Sequence, residues 1–430
     1  MTGRRTLWVG LAAVIGLALL PTLAIRAAGY PNGLWLISAW LTGPASGRAG
    51  GDSWIPIGNA LSYVMLHGAA GLYQETYFQT AFQFIYPPTS LVLIALIAKL
   101  GLFDWHSQAS MNYASWWAVP AMMLALARLT LAAFRQREIT LRPVDLVLAG
   151  ALGFILVLLS YPLLRGVQNG QIQTLLSLLL TLSLLAWVVE RKMLSGFLLG
   201  IICIIKPHLA IFVIWGAIRR EWRFTFVLVL TGMGFLVASL VIYGWQVHLE
   251  YLDLLRFLSR RGESFVANQS MNGLLNRMLF IGNNLEWDGT HTQIFFDARV
   301  YVGTLLSSAA LIGLALLWRR KAVAGPLDYC LALVAFTLAS PVAYNDHFGM
   351  LPAVFVLALP AARGWAVWAT LAIAVLLTAS DLEIADATAA THWNFLQSYL
   401  MFGAWSLIGA LLAITRADRI SRPLEPRRLQ

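Results

Sequence analysis

An all-helical, polytopic membrane bundle of about twelve spans is the fold class this sequence predicts, on three observations. Of 430 residues, 59 % are apolar and only 12 % are charged. That is about half the charged fraction of an ordinary soluble domain, which excludes a soluble globular enzyme. The mean hydropathy of +0.72 is spread along the chain, with uncharged runs at 7–25, 146–164, 224–247, 300–318 and 395–415. Each is long enough for a spanning helix of roughly 20 residues. The runs also lack the in-out alternation of barrel strands, and lipid admits only helices or closed barrels. A single integral membrane domain over 1–430 is expected, because no linker, repeat or second soluble unit interrupts the pattern.

Thirty basic against 20 acidic residues leave a formal charge of +10. The basic residues fall in short clusters between spans, which is a topology signal and not a nucleic-acid surface. No nucleic-acid partner is expected. Cys203 and Cys330 both lie in apolar runs and form no CxxC, so neither a disulfide nor a zinc site is implied. Arg4 and Arg5 ahead of the first run, with Ala27 and Ala28 after it, resemble a secretory signal. The run exceeds a signal core, and an uncleaved first span is the expectation.

Basic clusters at 135–142, 191–192, 219–223, 319–321, 363 and 416–428 mark the cytoplasmic side. The outward segments are then 26–85, 168–171, the Lys206 to His208 turn, 244–296, 341–347 and 381–395. Counting forward from Arg4, parity fails between Tyr86 and Ser110, so one apolar stretch there is expected not to cross fully. In the first large outer segment, 26–85, the turn-rich stretch 42–51 cannot be helical and delivers the chain to Asp52. Trp54, Ile57, Leu61, Val64, Met65 and Leu66 then recur at near-helical spacing, which predicts a helix along the membrane surface. The second outer segment, 244–296, has a similar pattern at Leu249, Leu252, Leu255 and Leu258. Apolar stretches 193–205 and 209–218, on either side of the Lys206 turn, are too short to cross a core of about 30 Å, so Lys206 is expected to lie recessed in the membrane.

Candidate chemistry follows from these placements. Asp52, after Gly50-Gly51 and before the surface helix, is either a general base or the N-cap of that helix, a role Ser53 could equally take. Lys206, with Pro207 and His208, is a cation in an apolar hairpin and calls for an anionic partner such as a lipid phosphate; a snorkelling lysine is the bland alternative. Asn268-Gln269-Ser270 with Arg277 places amides, a hydroxyl and a guanidinium on an outer loop, groups that suit sugar hydroxyls and phosphate oxygens. The same triplet is formally a glycosylation sequon, a weak signal. Gln171 and the break at 340–347 can line a cavity, with helix capping the better account of Gln168 and Asn169. Asp346 beside His347 lacks a third spaced ligand, and no metal is predicted.

Taken in order, Asp52, Gly71-Leu72-Tyr73, Tyr86-Pro87-Pro88, Gly170-Gln171, Gly200 to Lys206-Pro207, Asn268-Gln269-Ser270 with Arg277, and Ser340-Pro341 through His347 resemble glycosyltransferase family 87. The likeness covers most of the chain. The family comprises membrane enzymes of the GT-C fold, including polyprenyl-phosphate-mannose-dependent mannosyltransferases of bacterial glycolipid assembly. The resemblance implies that Asp52 is the catalytic base and that the lysine-proline hairpin and the last motif border the donor. It departs at Tyr344, Asp346 and His347, where the family often shows a tryptophan and a His-His pair, and it lacks a tyrosine a few residues after Asp52.

A lipid-phosphate sugar already carries a good leaving group, so cations near the phosphate are needed and a general acid is not. One base then suffices for single displacement with inversion. A retaining route needs a second carboxylate about 5 Å away, for which only Glu75 and Asp346 are candidates. The expected assignment is Asp52 as base, Lys206 and Arg277 facing the phosphate, and Asn268, Gln269, His208 and His347 around sugar or phosphate. Tyr86, Gln171, Asp346 and Glu75 would line the cavity. The donor is then a polyprenyl-phosphate-linked hexose or pentose, mannose favoured, and the acceptor a glycolipid or glycan. No cofactor is expected. The resemblance places the enzyme in the bacterial inner membrane, its site toward the periplasm and its bundle against membrane lipids. The rival classes are a secondary transporter, since broken helices with buried ionisable groups also mark transport sites, and a lipid-linked glycan polymerase or ligase.

Overall fold

The computed structural model describes residues 3–421 except 28, 30–33, 45–46, 48, 81–82, 102–103, 105–106, 288–295 and 319–324. Ala28, part of the turn-rich stretch, the basic cluster 319–321 and the tail beyond 421 therefore lie outside the described residues. Among the described residues eighteen α-helices run in order: α1 Gly3–Ala27, α2 Leu34–Thr42, α3 Trp54–His67, α4 Pro88–Lys99, α5 Gln108–Gln136, α6 Pro143–Leu158, α7 Tyr161–Asn169, α8 Gln173–Val188, α9 Lys192–Ile205, α10 Phe212–Ile218, α11 Trp222–Tyr243, α12 Gln246–Arg260, α13 Met271–Met278, α14 Ala298–Leu317, α15 Pro326–Leu338, α16 Leu351–Ala358, α17 Trp365–Ala379 and α18 Tyr399–Ser421. Among the described residues no strand forms; the sole β-type pairing is an isolated bridge between Asn268 and Tyr344. The helix starts follow local chemistry. Pro88, Pro143, Pro162, Pro326 and Pro352 sit in first turns, where a missing N–H costs nothing and the fixed φ suits the helix.

Twelve spans are not what the helix lengths carry. Among the described residues five helices are long and apolar enough to cross a membrane, at Trp8–Ala27, Gln108–Gln136, Trp222–Tyr243, Ala298–Leu317 and Asn394–Ala417. A sixth exists if α6 and α7, bent by 52° at their junction, count as one. The other apolar helices are too short to match a hydrocarbon core of about 30 Å at 1.5 Å per residue. For α15 and α16 the physical reason is burial. Every residue of α15 from Leu327 to Leu338 and every residue of α16 is buried, so these helices are solvated by protein and need not match the thickness of lipid. α11, by contrast, buries only Phe224, Thr225, Leu228 and Ser239.

The core is a contiguous apolar cluster with α8, α15 and α16 at its centre. Trp187, Phe212, Trp215, Phe224 and Tyr329 pack edge-on and tilted around one another at centroid distances of 5.0–6.1 Å. The buried Tyr329 hydroxyl lies 2.9 Å from Ser183 Oγ, which is itself 3.0 Å from Ser195 Oγ. At the end of the bundle where α10 stops, the buried Arg219 donates to Asp328 at 2.8 and 3.2 Å and to the carbonyls of Ala315 and Leu316, while Trp318 donates to Thr415 at 3.0 Å. The ends of α10, α14, α15 and α18 are thereby tied together.

At the other end the expected outer segments converge. Residues 50–53 pair with 168–170, Lys206 meets His347, 268–269 pair with 343–344, and Arg277 meets Ser398. The stretch where parity fails contains α4. Its start, at Tyr86, contacts Ser53, and the start of α5 contacts Ala49 and Gly50 through Gln108 and Asn112. Both helices begin at the same end of the bundle, so the 12-residue α4 and the turn after it return the chain to the end where it started. Helices form where surface helices are expected, as α3 and α12, and Glu250 of α12 accepts the Gly71 N–H at 3.0 Å, fastening the segment 26–85 to the segment 244–296.

Candidate active site

The site begins with backbone. Gly50 N donates to Gln168 O at 2.7 Å, Asp52 N to Asn169 O at 3.0 Å and Ser53 N to Gly170 O at 3.2 Å. This short run, in which both segments ascend together, pins the segment before α3 against the end of α7. It requires glycine at Gly170, which ends α7 at φ +68° and where a Cβ would stand 2.1 Å from Gly50 O. A left-handed residue closing a helix this way is the usual role of glycine. Ser53, which immediately precedes α3, makes no side-chain cap bond. Its hydroxyl accepts from Ile172 N at 3.0 Å, donates to Gln171 Oε1 at 2.8 Å and meets the Tyr86 hydroxyl at 2.8 Å. With its one proton committed to Gln171, Ser53 must accept from Tyr86.

That chain of donors orients the Gln171 amide. Its oxygen takes the Ser53 proton, so its NH2 points at Asp52 and donates to Oδ2 at 3.2 Å. Asp52 is therefore held from behind by Gln171 while its carboxylate is exposed, and the capping alternative is not the geometry adopted. Protein crowded around Asp52 raises its carboxyl above the ordinary value, opposed by the Gln171 hydrogen bond and the charge of Arg165. A carboxylate that is open on one side and slightly strengthened as a base suits proton abstraction from a hydroxyl.

Beside it lies the Lys206 turn. Lys206 Nζ stands 2.7 Å from His347 Nε2. An ammonium can only donate, so Nε2 accepts and the imidazole is neutral with its proton on Nδ1. Burial, followed by the charge of Lys206 and then His208, keeps His347 well below the normal histidine value, which agrees with that tautomer. Asp346 is buried next to it. Burial pushes its carboxyl up to about 6, with Lys206 opposing and Asp52 adding to the rise, so both carboxylates and the lysine share one field. Gly166 and Gly349 make room for Asp346 and Ser177: a Cβ on Gly166 would sit 3.3 Å from Asp346 Cβ, and one on Gly349 2.7 Å from Ser177 Oγ.

Asp52, Gln171, Tyr86, Lys206, Asp346 and His347 are thus brought together, with His208 within the field of Lys206. Arg277, expected to face phosphate, is fully buried and spends its guanidinium on the carbonyls of Ser264, Phe265 and Asn268 and on Ser398 Oγ. Asn268 bonds Glu263 O and Ala343 N, and Gln269 bonds Val266 O, Gln397 O and Met401 N. The polar character that suggested ligand contact is consumed in fastening a loop with few backbone partners of its own. Glu75 is exposed on a separate turn, 74–78, and among the described residues makes no side-chain bond to this group. Among the described residues no cluster of three metal-ligating side chains occurs.

Sequence reasoning missed Arg165 and Glu263, and it read Ser53 only as a spare cap. Glu263 accepts from the Tyr344 hydroxyl at 2.6 Å, and Tyr344 packs against His347 at 6.1 Å between ring centroids, so the second outer loop buttresses the histidine. The outward position of 244–296 and 341–347 was the available signal that the two could meet.

The profile of glycosyltransferase family 87 matches residues 84–341, more than half of the chain. The chain belongs to glycosyltransferase family 87. The matched region holds Tyr86, Gln171, Lys206 and Arg277, while Asp52 lies before it and Asp346 and His347 lie after it. No curated protein and no solved structure is recognisably similar. As a family 87 member this is a membrane glycosyltransferase, acting on a sugar donor and an acceptor.

Proposed function

We propose that this family 87 protein transfers a hexose, mannose favoured, from a polyprenyl-phosphate donor to a glycolipid or glycan acceptor, by single displacement with inversion at the outer face of a bacterial inner membrane. The observation that carries this reading is that an exposed carboxylate held by Gln171 and a lysine–histidine pair occur together where the outer loops converge. Asp52 takes the proton of the acceptor hydroxyl. The acceptor oxygen attacks the anomeric carbon as the bond to the lipid phosphate breaks, and Lys206 with the Nδ1–H of His347 stabilises the departing phosphate. Of the two carboxylates, Asp52 is open and Asp346 is buried, so a single base serves and no glycosyl-enzyme route is assigned. The GT-C architecture, one membrane domain over the whole chain, and the sides of the membrane belong to this same reading.

The test is transfer of labelled mannose from polyprenyl-phosphate-mannose in membranes carrying wild type or Asp52→Asn, with folding checked by gel filtration. Removal of a general base costs about 10²–10⁴ in rate, so a folded Asp52→Asn protein should lose transfer by at least 100-fold. Equal transfer from both proteins removes Asp52 from catalysis, and transfer from neither redirects the search to other lipid-linked sugars.

A further inference from the structure

Arg165 lies on α7, the nine-residue helix that follows the 52° bend. Leu163, Leu164, Gly166 and Val167 around it are buried and form the packing face of α7, whereas Arg165 is only half-buried. Its guanidinium stands 5.8 Å from the centroid of the Trp35 ring on α2. Such stacking orients the guanidinium plane without using its N–H groups. Among the described residues those N–H groups make no hydrogen bond and no ion pair. Three carboxylates from two separate segments act on it electrostatically without closing on it: Asp52 before α3, and Asp381 and Glu383 after α17.

The Lys206–His347 pair is a different station. There Lys206 Nζ stands 2.7 Å from His347 Nε2, and among the described residues Arg165 makes no hydrogen bond to either. Arg165 is thus a second cation, carried by the helix whose end pairs with the Asp52 segment, pre-oriented by an aromatic ring, with its planar fork unoccupied. That fork matches two oxygens of a phosphate. Nearby carboxylates that do not pair with it repel a loose anion and a phosphate alike, so it is two-point contact with the guanidinium that has to offset them.

We propose that Arg165 is an oxyanion-binding residue of the site, its guanidinium holding two oxygens of a phosphate carried by a lipid substrate at a position separate from Lys206. This rests on the lipid-phosphate reading above. The phosphate belongs either to the isoprenoid donor or to a phospholipid-type acceptor, and the contact chemistry is the same.

The experiment measures binding to the full chain in phosphatidylcholine nanodiscs of two probes, farnesyl phosphate and dioleoyl phosphatidylglycerol, with farnesol as the uncharged control. Wild type, Arg165→Ala, Arg165→Lys and Lys206→Ala are compared, with thermal unfolding as the folding check. Arg165→Ala should weaken one phosphate probe at least tenfold with farnesol unaffected, and Arg165→Lys should recover only part, because it restores charge without the fork. Loss confined to farnesyl phosphate assigns the donor; loss confined to phosphatidylglycerol assigns the acceptor. Should Arg165→Ala fail to fold, Arg165→Lys decides alone, with a loss of threefold or more expected and unchanged binding overturning the proposal. If Lys206→Ala weakens farnesyl phosphate while both Arg165 variants bind as wild type, the donor reading stands and this proposal falls. If wild type binds neither probe, the lipid-phosphate reading falls first and this proposal with it.

Discussion

At the scale of single residues, the site's properties follow from who donates to whom. The Ser53 hydroxyl has one proton, and giving it to Gln171 fixes both the Tyr86 donor and the direction of the Gln171 amide. Asp52 is the beneficiary, and its raised carboxyl value sets a pH expectation. The base works as the carboxylate, so transfer should fall as pH drops through a value above the ordinary 3.8, and the acid limb of kcat/KM should disappear into a uniformly low rate in Asp52→Asn. A rate profile of wild type with its acid limb at or below pH 4 would contradict the crowded setting of Asp52. Asp346 yields a stability expectation of opposite sense from that of a salt-bridged carboxylate. Its folded value, raised to about 6, means the folded state holds the proton more tightly than the unfolded one. The stabilisation is present below about pH 4 and is lost as pH rises through 6. Thermal unfolding in detergent should show wild type losing up to about 3 kcal/mol across that window, a loss that Asp346→Asn removes.

At the scale of elements, the decisive features are short and irregular. α7 is nine residues long, follows a 52° bend and ends at the left-handed Gly170, and from that ending come the backbone bonds that place Asp52 and Ser53. Gly170→Ala would force a strained φ and drive a methyl against Gly50 O. It should destabilise the protein by more than 1 kcal/mol and reduce transfer further than its loss of stability explains, which thermal unfolding and transfer measured on the same preparation would separate. The positive-inside pattern grouped this element with the other expected outer segments but could not reveal the crossing. Two glycine-containing loops about 120 residues apart carry no local mark of their pairing. The same is true of α4, where the parity conflict carries no local mark of its cause, and only the contacts of Tyr86, Gln108 and Asn112 with 49–53 showed that α4 and α5 begin at the same end of the bundle.

At the scale of the whole molecule, the bundle is closed at one end by Arg219 and left open to chemistry at the other. Arg219 reaches Asp328 and the carbonyls ending α14, all in a buried setting. Removing one partner of such a pair leaves an uncompensated charge at a cost of about 3–5 kcal/mol. Arg219→Met should therefore lower thermal stability strongly, and Arg219→Met with Asp328→Leu should be less damaging than the single change. Additive losses would show that the carbonyl contacts, and not the ion pair, dominate.

The sequence by itself determined that the chain is helical and membrane-bound, because apolar content and uncharged run length are local sums that no partner alters. It also grouped the segments that meet at one end of the bundle, and it nominated Asp52, Lys206 and His347 as charge where charge is expensive. The tertiary structure alone decided which polar residues are spent and which are free. Arg277 and Asn268 look identical to ligand-binding groups until their hydrogen bonds are traced to carbonyls and amides of the loop, and Arg165 looks like the end of an apolar run until its guanidinium is found beside Trp35 without an acceptor. Satisfaction of a hydrogen bond depends on groups distant in sequence, and so does the number of true spans, because a helix sheathed in protein has no need to match the thickness of lipid.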